Sequence, residues 1–420
     1  MSPRQLITLF CAAEMSGMAA YAGFFAQVPT LAAEWRLTAV QIGFVSGAFY
    51  AGYMLAVPIL VTLTDHRDPR RIYLSSMLAS ALGAVGFAML ADGMVLAALF
   101  HALSGVGLAG TYMPGLRLLT DRLQGLSRSR AVAVYTGSYA VGTAGSFLLI
   151  GGLSHAIGWR WAFGLAAGGP LLASIGMAVL CPADPSGEER ARLTPAIFDF
   201  RAVLANPAVM ARAIAYAAHN FELFGLWSWA VAFLAFAYAQ RPADRLHPDE
   251  AVVGALLTLM LLPASVAGNE IAARVGARRW IIGVMTASAM IASVLGFLPG
   301  QVPTGLVVVL CIAYGIATAA ESGTLTASVV AAAEPRYRGM TMAAYSMIGF
   351  GGSCAGPMVF GLVLQLAGAG RVAGWGAAFL AMGAGALTGP LALVILDRRA
   401  RRAKDGGTAP AEDRSEASGR

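Results

Sequence analysis

Twelve long apolar segments, separated by mostly short polar loops, constrain the fold of this chain more than any other feature. Each segment has about 20 residues or more, the length that an α-helix needs to cross a hydrocarbon layer of about 30 Å. Strands of a membrane barrel are shorter, with about ten residues that alternate strictly in polarity. We therefore predict an all-α membrane protein whose helices 1 to 12 cover residues 5–31, 39–63, 71–91, 94–116, 130–152, 161–181, 209–238, 251–273, 279–298, 305–331, 339–367 and 373–396.

The composition agrees with a lipid environment, since 58% of the residues are hydrophobic and only 12% are charged. Soluble domains carry about 25% charged residues. The first apolar segment follows Arg4 and contains Glu14, and it is too long for the apolar core of a signal peptide. We interpret it as helix 1 and not as a cleaved leader.

The basic residues predict the orientation of the chain in the membrane. If the N-terminus lies in the cytoplasm, 24 of the 29 Lys and Arg residues fall on the cytoplasmic side and five on the other. This bias predicts cytoplasmic N- and C-termini in a cytoplasmic (inner or plasma) membrane. Because these residues occupy loops that set topology, the net charge of +7 does not indicate nucleic-acid binding.

Two related halves are predicted by repeated motifs. The segment DHRDPRR at 65–71 follows helix 2, and ARVGARR at 273–279 follows helix 8. Two further pairs occur in the same order, SRSRA with PRYRG and WRWAF with WGAAF. Such repeats are typical of secondary transporters, whose site lies between the halves. We predict two pseudo-symmetric six-helix bundles, with the division N-terminal bundle 1–181, cytoplasmic linker 182–207, C-terminal bundle 208–396 and disordered cytoplasmic tail 397–420.

Patterns typical of enzymes and metal sites are missing from the sequence. No cysteine belongs to a CxxC pair, and we interpret all four as packing residues, so we expect no metal. The run GVGLAG at 105–110 lies inside helix 4 with no strand before it, which favours close helix packing over dinucleotide binding. The absence of a phosphate loop, HExxH and GxSxG predicts a protein that is not an enzyme and needs no cofactor.

The loop after helix 2, VTLTDHRDPRR, resembles the corresponding loop of the major facilitator superfamily of transporters. Asp65, Arg70 and Arg71 match the family pattern, while Val61 replaces its glycine. The resemblance covers residues 1–396 and implies transport by alternating access. It also implies that this loop latches the cytoplasmic side, with a second copy at Arg278 and Arg279 that has no equivalent of the aspartate. The alternative is that these arginines only set the topology.

Two departures from the family pattern concern helices 4 and 5. His101, four residues before Gly105, stands where the family often has an arginine. Helix 5 has no Gly-Pro pair of the kind found in antiporters of the family, although helix 11 contains Gly356 and Pro357. The resemblance to proton antiporters is therefore only partial.

Three glutamates lie well inside apolar segments: Glu14 in helix 1, Glu222 in helix 7 and Glu321 in helix 10. An unpaired charge at a helix centre costs about 2.5–3.5 kcal/mol on insertion scales, so such acids mark a wet cavity, a partner or a proton path. No lysine and no clearly central arginine is available to neutralise them. The pattern favours proton coupling or a cationic ligand over a bound anion. The alternative is a neutral glutamate with a structural hydrogen bond.

One face of helix 7 concentrates polar and aromatic side chains. We predict that it lines a central cavity, that Glu222 exchanges protons with His219 as its relay, and that the two tryptophans stack on an organic solute or a cation. A tryptophan belt at the membrane interface is the alternative for that pair. The predicted cavity residues are Glu14, His101, Tyr139, Tyr216, His219, Asn220, Glu222, Trp227, Trp229, Tyr314 and Glu321.

Together these patterns predict a secondary transporter of a small organic solute, embedded in a lipid bilayer, coupled to protons and inclined towards export. An uptake symporter or facilitator for an anion or a neutral metabolite is the alternative, with His101 and His219 supplying positive charge. A membrane sensor that does not transport is a second alternative. From the sequence alone, Glu222→Gln is expected to abolish proton-linked transport without unfolding the protein.

Overall fold

The computed structural model describes residues 1–64, 67–181 and 200–396. Asp65, the predicted linker up to residue 199 and the predicted tail 397–420 lie outside the described residues. All regular secondary structure in the described part of the chain is helical, as the length of the apolar segments predicted.

Eleven helices in this part of the chain are long and apolar enough to cross a membrane, and helix 1 makes the twelfth segment in three shorter pieces. The prediction of a twelve-helix membrane fold is confirmed. The observed bounds are Pro3–Gly17, Gly23–Ala26 and Val28–Trp35 for helix 1, Ala39–Leu63 for helix 2, Pro69–Leu90 for helix 3, Met94–Thr120 for helix 4, Gly125–Ile157 for helix 5, Trp159–Ala166 and Gly168–Leu180 for helix 6, Pro207–Gln240 for helix 7, Glu250–Leu259 and Leu261–Val275 for helix 8, Ala277–Leu295 for helix 9, Thr304–Ala319 and Ser322–Ala332 for helix 10, Arg338–Ala367 for helix 11, and Val372–Ala386 with residues 388–396 for helix 12.

Polar side chains at the helix starts satisfy backbone N–H groups that no earlier turn can bind. Thr38 and Gln41 form a capping box, in which each side chain accepts a hydrogen bond from the other residue's backbone. Asp249 caps helix 8 by accepting from the N–H groups of Ala251 and Val252. These caps explain why the starts of helices 2 and 8 were predicted to within one residue.

Helix 1 is interrupted between Gly17 and Gly23, and a side chain of helix 5 restores part of the missing bonding. The Ser146 hydroxyl donates to the carbonyl of Ala19 (2.8 Å) and accepts from the N–H of Ala22 (2.9 Å). Such compensation is needed because unpaired backbone groups are costly inside a membrane. The interruption is therefore a specific structure made by two helices.

Helices 2 and 5 pack against helices 11 and 8, so that each half of the chain contacts the other along two seams. Gly43 permits the first seam, because a Cβ at this position would meet the backbone carbonyl of Pro357. In the second seam, Gly254 of helix 8 accommodates the ring of Phe147. We call the end of the bundle where helix 1 begins the terminal face, and the other end the opposite face.

Specific contacts between the halves run along the part of the bundle next to the opposite face. The N–H of Val40 donates to Oε1 of Gln365 (3.1 Å). His155 lies 3.6 Å from Asp249. Deeper in the bundle, the rings of Tyr50 and Phe224 have centroids 4.7 Å apart. The two halves thus meet closely at the opposite face, which is the arrangement of a bundle closed on that side.

Gly268→Ala tests how closely helices 8 and 10 approach. A Cβ at residue 268 would overlap the backbone carbonyl of Ala320, which cannot move away by a change of rotamer. We expect a loss of about 1–3 kcal/mol of stability and a lower melting temperature. Gly283→Ala is the matched control, because no atom lies within 4 Å of the new Cβ and alanine favours a helix. Equal melting temperatures for the two variants would contradict the packing of helices 8 and 10.

Candidate functional site

The most enclosed ionisable pair joins helices 7 and 10. Nδ1 of His219 lies 3.0 Å from Oε1 of Glu321, and the side chains are 1% and 0% exposed. The other carboxyl oxygen of Glu321, Oε2, is buried without a hydrogen-bond partner among the described residues. A fully buried acid with one free oxygen can take up or release a proton only with a large change in local electrostatic energy.

Glu321 stands where helix 10 is interrupted, directly before the second piece begins at Ser322. Side chains of two neighbouring helices satisfy the backbone around it. The indole N–H of Trp280 donates to the carbonyl of Ala320 (3.2 Å), and the N–H of Gly323 donates to the hydroxyl of Ser265 (3.0 Å). Helices 8 and 9 therefore hold the segment that carries the acid.

Glu222 does not pair with His219. The two residues are three positions apart on helix 7, about 60° around its axis, and their side chains diverge towards different helices. Oε2 of Glu222 accepts a hydrogen bond from the Ser288 hydroxyl of helix 9 (2.9 Å), and Tyr314 of helix 10 lies beside it. The structure thus brings His219 together with Glu321 and places Glu222 in the packing of helices 7, 9 and 10.

Glu14 is the buried acid of the N-terminal half. Its Oε2 accepts a hydrogen bond from the Tyr135 hydroxyl of helix 5 (2.9 Å), and its Oε1 has no partner among the described residues. The same hydroxyl lies 3.2 Å from the carbonyl of Thr111 in helix 4. Glu14 therefore lies between helices 1, 4 and 5, as His219 and Glu321 lie between helices 7 and 10.

Aromatic side chains surround the His219–Glu321 pair on the side of helix 11. The half-buried ring of Tyr216 lies between the rings of Tyr345 (centroids 4.1 Å apart) and His219 (6.0 Å). Asn220 is buried beside this stack, close to Gly349. The polar side chains that were predicted to share one face of helix 7 thus contact several different helices of the C-terminal half.

Both predicted tryptophans of helix 7 are buried. The N–H of Trp229 donates to the carbonyl of Pro357 (3.0 Å), and its ring stacks on Phe360, which makes it part of the packing between helices 7 and 11. Trp227 packs edge-on against Phe224, near the seam between the halves. Neither tryptophan lies on the lipid-facing surface.

Two further predicted residues belong to aromatic clusters of the N-terminal half. The ring of His101 is packed among four phenylalanines, and its Nδ1 lies 3.0 Å from the carbonyl of Val45, so this nitrogen carries the hydrogen. The half-buried Tyr139 donates to the hydroxyl of Tyr21 (3.1 Å), which lies within the interruption of helix 1. The ring of His101 is thus part of the aromatic packing of the N-terminal half.

The predicted gating arginines lie near the terminal face. The guanidinium of Arg70 donates to the carbonyl of Ala178 in helix 6, and Asp68 caps helix 3. Arg71 and Arg279 are exposed, and Arg278 is half-buried. Among the residues in the described ranges, no group of three His, Cys, Asp or Glu is placed to hold a metal ion.

Sequence reasoning missed the side chains that hold the interruption of helix 10, namely Ser265 and Trp280, and the Ser288 partner of Glu222. The signal that was available is the glycine at each interruption, Gly17 and Gly23 in helix 1 and Gly323 in helix 10. Glycine within a helical pattern lowers helix propensity and marks a point where a break costs little.

Trp280→Phe tests whether the indole stabilises the interruption of helix 10. The substitution removes one donor and leaves the Ala320 carbonyl unpaired, which we expect to lower stability by about 1–3 kcal/mol. Trp161→Phe is the matched control, because Trp161 is 71% exposed on the outer surface of the helix bundle. Thermal unfolding in one detergent compares the two, and equal melting temperatures would show that the hydrogen bond to Ala320 contributes nothing.

Solved membrane-protein structures share this architecture. A bacterial homologue of the human lysosomal transporter Spinster, in an inward-facing and occupied conformation, aligns with a TM-score of 0.79 at 15% identity, covering 95% of this chain and 98% of that one. The nucleoside transporter NupG aligns with a TM-score of 0.74 at 14% identity, covering 94% of this chain and 99% of that one. At such identities these likenesses concern the fold.

The sequence itself supplies the assignment to a family. No curated protein matches it. The family model described as Major Facilitator Superfamily matches residues 9–357 and 223–417, which together cover nearly the whole chain. The chain belongs to the Major Facilitator Superfamily and is a membrane transporter that moves small solutes by alternating access, not an enzyme.

Proposed function

We propose that this transporter couples the movement of a small organic solute to protons, and that the His219–Glu321 pair is the coupling group. The observation that carries the proposal is the 3.0 Å contact between two fully buried ionisable side chains on helices 7 and 10. In this family helices 1, 4, 7 and 10 line the cavity, so a proton site there is close to a bound solute.

The cost of a net charge on this buried pair couples proton exchange to the binding of the solute. As an ion pair or as two neutral groups, histidine and glutamate carry no net charge, and either form is tolerated in a low-dielectric interior. Adding or removing one proton leaves a net charge at the site, which is costly unless water or a charged solute reaches it. Proton exchange therefore accompanies opening of the cavity or binding of the solute.

The distribution of basic residues supports cytoplasmic termini, and the terminal face is then cytoplasmic. On that assignment the contacts at the opposite face close the outer side of the molecule. The division into bundles 1–181 and 208–396 joined by a linker at 182–207 belongs to the same proposal. The proposed gating groups of the transporter at the cytoplasmic face are Asp65, Arg70, Arg71, Arg278 and Arg279.

The other two buried acids have different roles in this proposal. Glu14, with its free oxygen beside helices 4 and 5, is a second proton site in the N-terminal half. Glu222 also has one oxygen without a partner among the described residues, but it does not pair with His219. Bound to Ser288 between helices 7 and 9, it stabilises the C-terminal half. The role first expected for Glu222 thus moves to Glu321, because Glu321 is the acid that contacts His219.

The solute we propose is an organic cation or an uncharged aromatic molecule, and the direction we favour is export. Aromatic rings lie on both sides of the seam, where the rings of Tyr53 and Phe350 have centroids 4.1 Å apart. The rival is uptake of an anion or a neutral metabolite by symport, and the likeness to a nucleoside transporter makes a neutral heterocycle a specific candidate within it.

A screen of thermal stability against metabolites and drugs, at pH 6 and pH 8, separates export from uptake. Ligand binding to the folded protein raises its melting temperature, by an amount that depends on affinity. If an organic cation competes with protons, it should raise the melting temperature more at pH 8 than at pH 6. Anions that stabilise more at pH 6 would instead favour proton symport and reverse the direction proposed here.

Glu321→Gln tests the coupling group in liposomes with the ligand found in that screen. A gradient of one pH unit corresponds to about 1.4 kcal/mol per proton, or about a tenfold accumulation of solute. Glutamine still accepts a hydrogen bond from His219 but carries no exchangeable charge, so we expect the pH-driven accumulation to disappear while ligand binding remains.

Glu222→Gln is the matched control, since glutamine can also accept from Ser288. We expect this variant to keep about tenfold accumulation. Loss of accumulation in the Glu222 variant together with normal accumulation in the Glu321 variant would return the proton role to Glu222.

A further inference from the structure

One face of helix 5 contacts helix 1 before and within its interruption. The Tyr135 hydroxyl donates to Glu14, and Gly142 lies against Met18. Tyr139 donates to the Tyr21 hydroxyl, and Ser146 bonds to the backbone of the interrupted segment. The positions 135, 139, 142 and 146 recur at helical spacing, so these contacts form one continuous stripe.

Ser146 contributes more to the interruption than a packing contact. Its single hydroxyl donates to the Ala19 carbonyl (2.8 Å) and accepts from the Ala22 N–H (2.9 Å), so it bridges the segment between two helical pieces. The site is buried, with Ser146 1% exposed and Ala22 0% exposed. Without the hydroxyl, two backbone groups would lose the partner they have in this state.

The next residue on helix 5 reaches across the boundary between the halves. The ring of Phe147 packs against helix 8 at Gly254, and one turn further Gly151 lies against Ala251. Helix 5 therefore touches the interruption of helix 1 on one side and the seam with helix 8 on the other. Separation of helices 5 and 8 at the opposite face therefore acts directly on the helix that carries Ser146.

We infer that Ser146 is a positioning residue for alternating access, whose hydroxyl holds helix 1 in the bend of the state closed at the opposite face. Opening of that face moves helix 5 relative to helix 1 and releases these two hydrogen bonds. The hydroxyl thereby stabilises the closed state and sets how often the opposite face opens. This inference depends on alternating access and is independent of proton coupling.

Hydrogen exchange of the full chain in lipid nanodiscs tests the inference without a ligand. In Ser146→Ala we expect amide exchange in residues 18–27 to rise about tenfold, as the Ala22 N–H loses its acceptor. We also expect faster exchange at the opposite-face ends of helices 5 and 8, in residues 147–157 and 250–259. The second change reports more frequent opening of the seam, which a purely local role would not produce.

Thr136→Val is the matched control on the same helix, because the side chain of Thr136 is exposed and its hydroxyl donates to the carbonyls of Val132 and Ala133 in its own helix. Its exchange should equal that of the wild type at all three segments. Ser146→Cys, which keeps the side-chain size but bonds more weakly, should shift exchange in the same direction by a smaller factor, and it serves if the alanine variant does not fold. Unchanged exchange at residues 18–27, or a rise confined to them, would overturn the inference.

Discussion

Backbone polar groups inside a membrane must be satisfied within the protein, and the regions around the buried acids of this transporter depend on that requirement. Regular helices meet it alone, but helices 1 and 10 are interrupted near the buried acids Glu14 and Glu321. Side chains of neighbouring helices supply the missing partners, Ser146 for helix 1 and Trp280 with Ser265 for helix 10. In helices 1 and 10 the interrupted segment thus links a buried acid to the packing of a neighbouring helix.

The two halves place their buried polar residues at corresponding distances from the starts of their helices. Thr111 and Glu321 each lie 17 residues after the first residue of helices 4 and 10. Glu14 lies on helix 1 about as far from its start as His219 lies on helix 7. The N-terminal half completes its site with Tyr135 from helix 5, whereas the C-terminal half pairs helices 7 and 10 directly. The two halves therefore place buried polar residues at similar positions along their helices, but the residue types and contacts differ.

Much of the fold follows from local patterns in the sequence. Segment length and hydropathy predicted the twelve helices, and the Thr38–Gln41 and Asp249 caps found in the structure fix the starts of helices 2 and 8, because these signals act within a few residues. The buried acids could also be identified from the sequence, because few ionisable residues occur within the apolar segments. The interruption of helix 1 was not predicted, although Gly17 and Gly23 flank it.

The partners of the acids were not predictable in the same way. Helical angles place His219 and Glu222 on adjacent faces, but they do not reveal which neighbouring helix each face meets. Ser288 and Glu321 lie 66 and 102 residues away from their partners, and only the packing of helices 7, 9 and 10 brings them into contact. Tertiary packing thus decided which glutamate joins the histidine, and with it our assignment of the proton site.

The most direct test of that assignment counts protons. Purified protein in weakly buffered solution is titrated with a ligand that stabilises it, and the change in pH gives the number of protons exchanged per ligand bound. Coupling through the His219–Glu321 pair predicts about one proton per ligand for the wild type and none for Glu321→Gln at similar affinity. Ligand binding without proton exchange in the wild type, or the same exchange in both proteins, would contradict it.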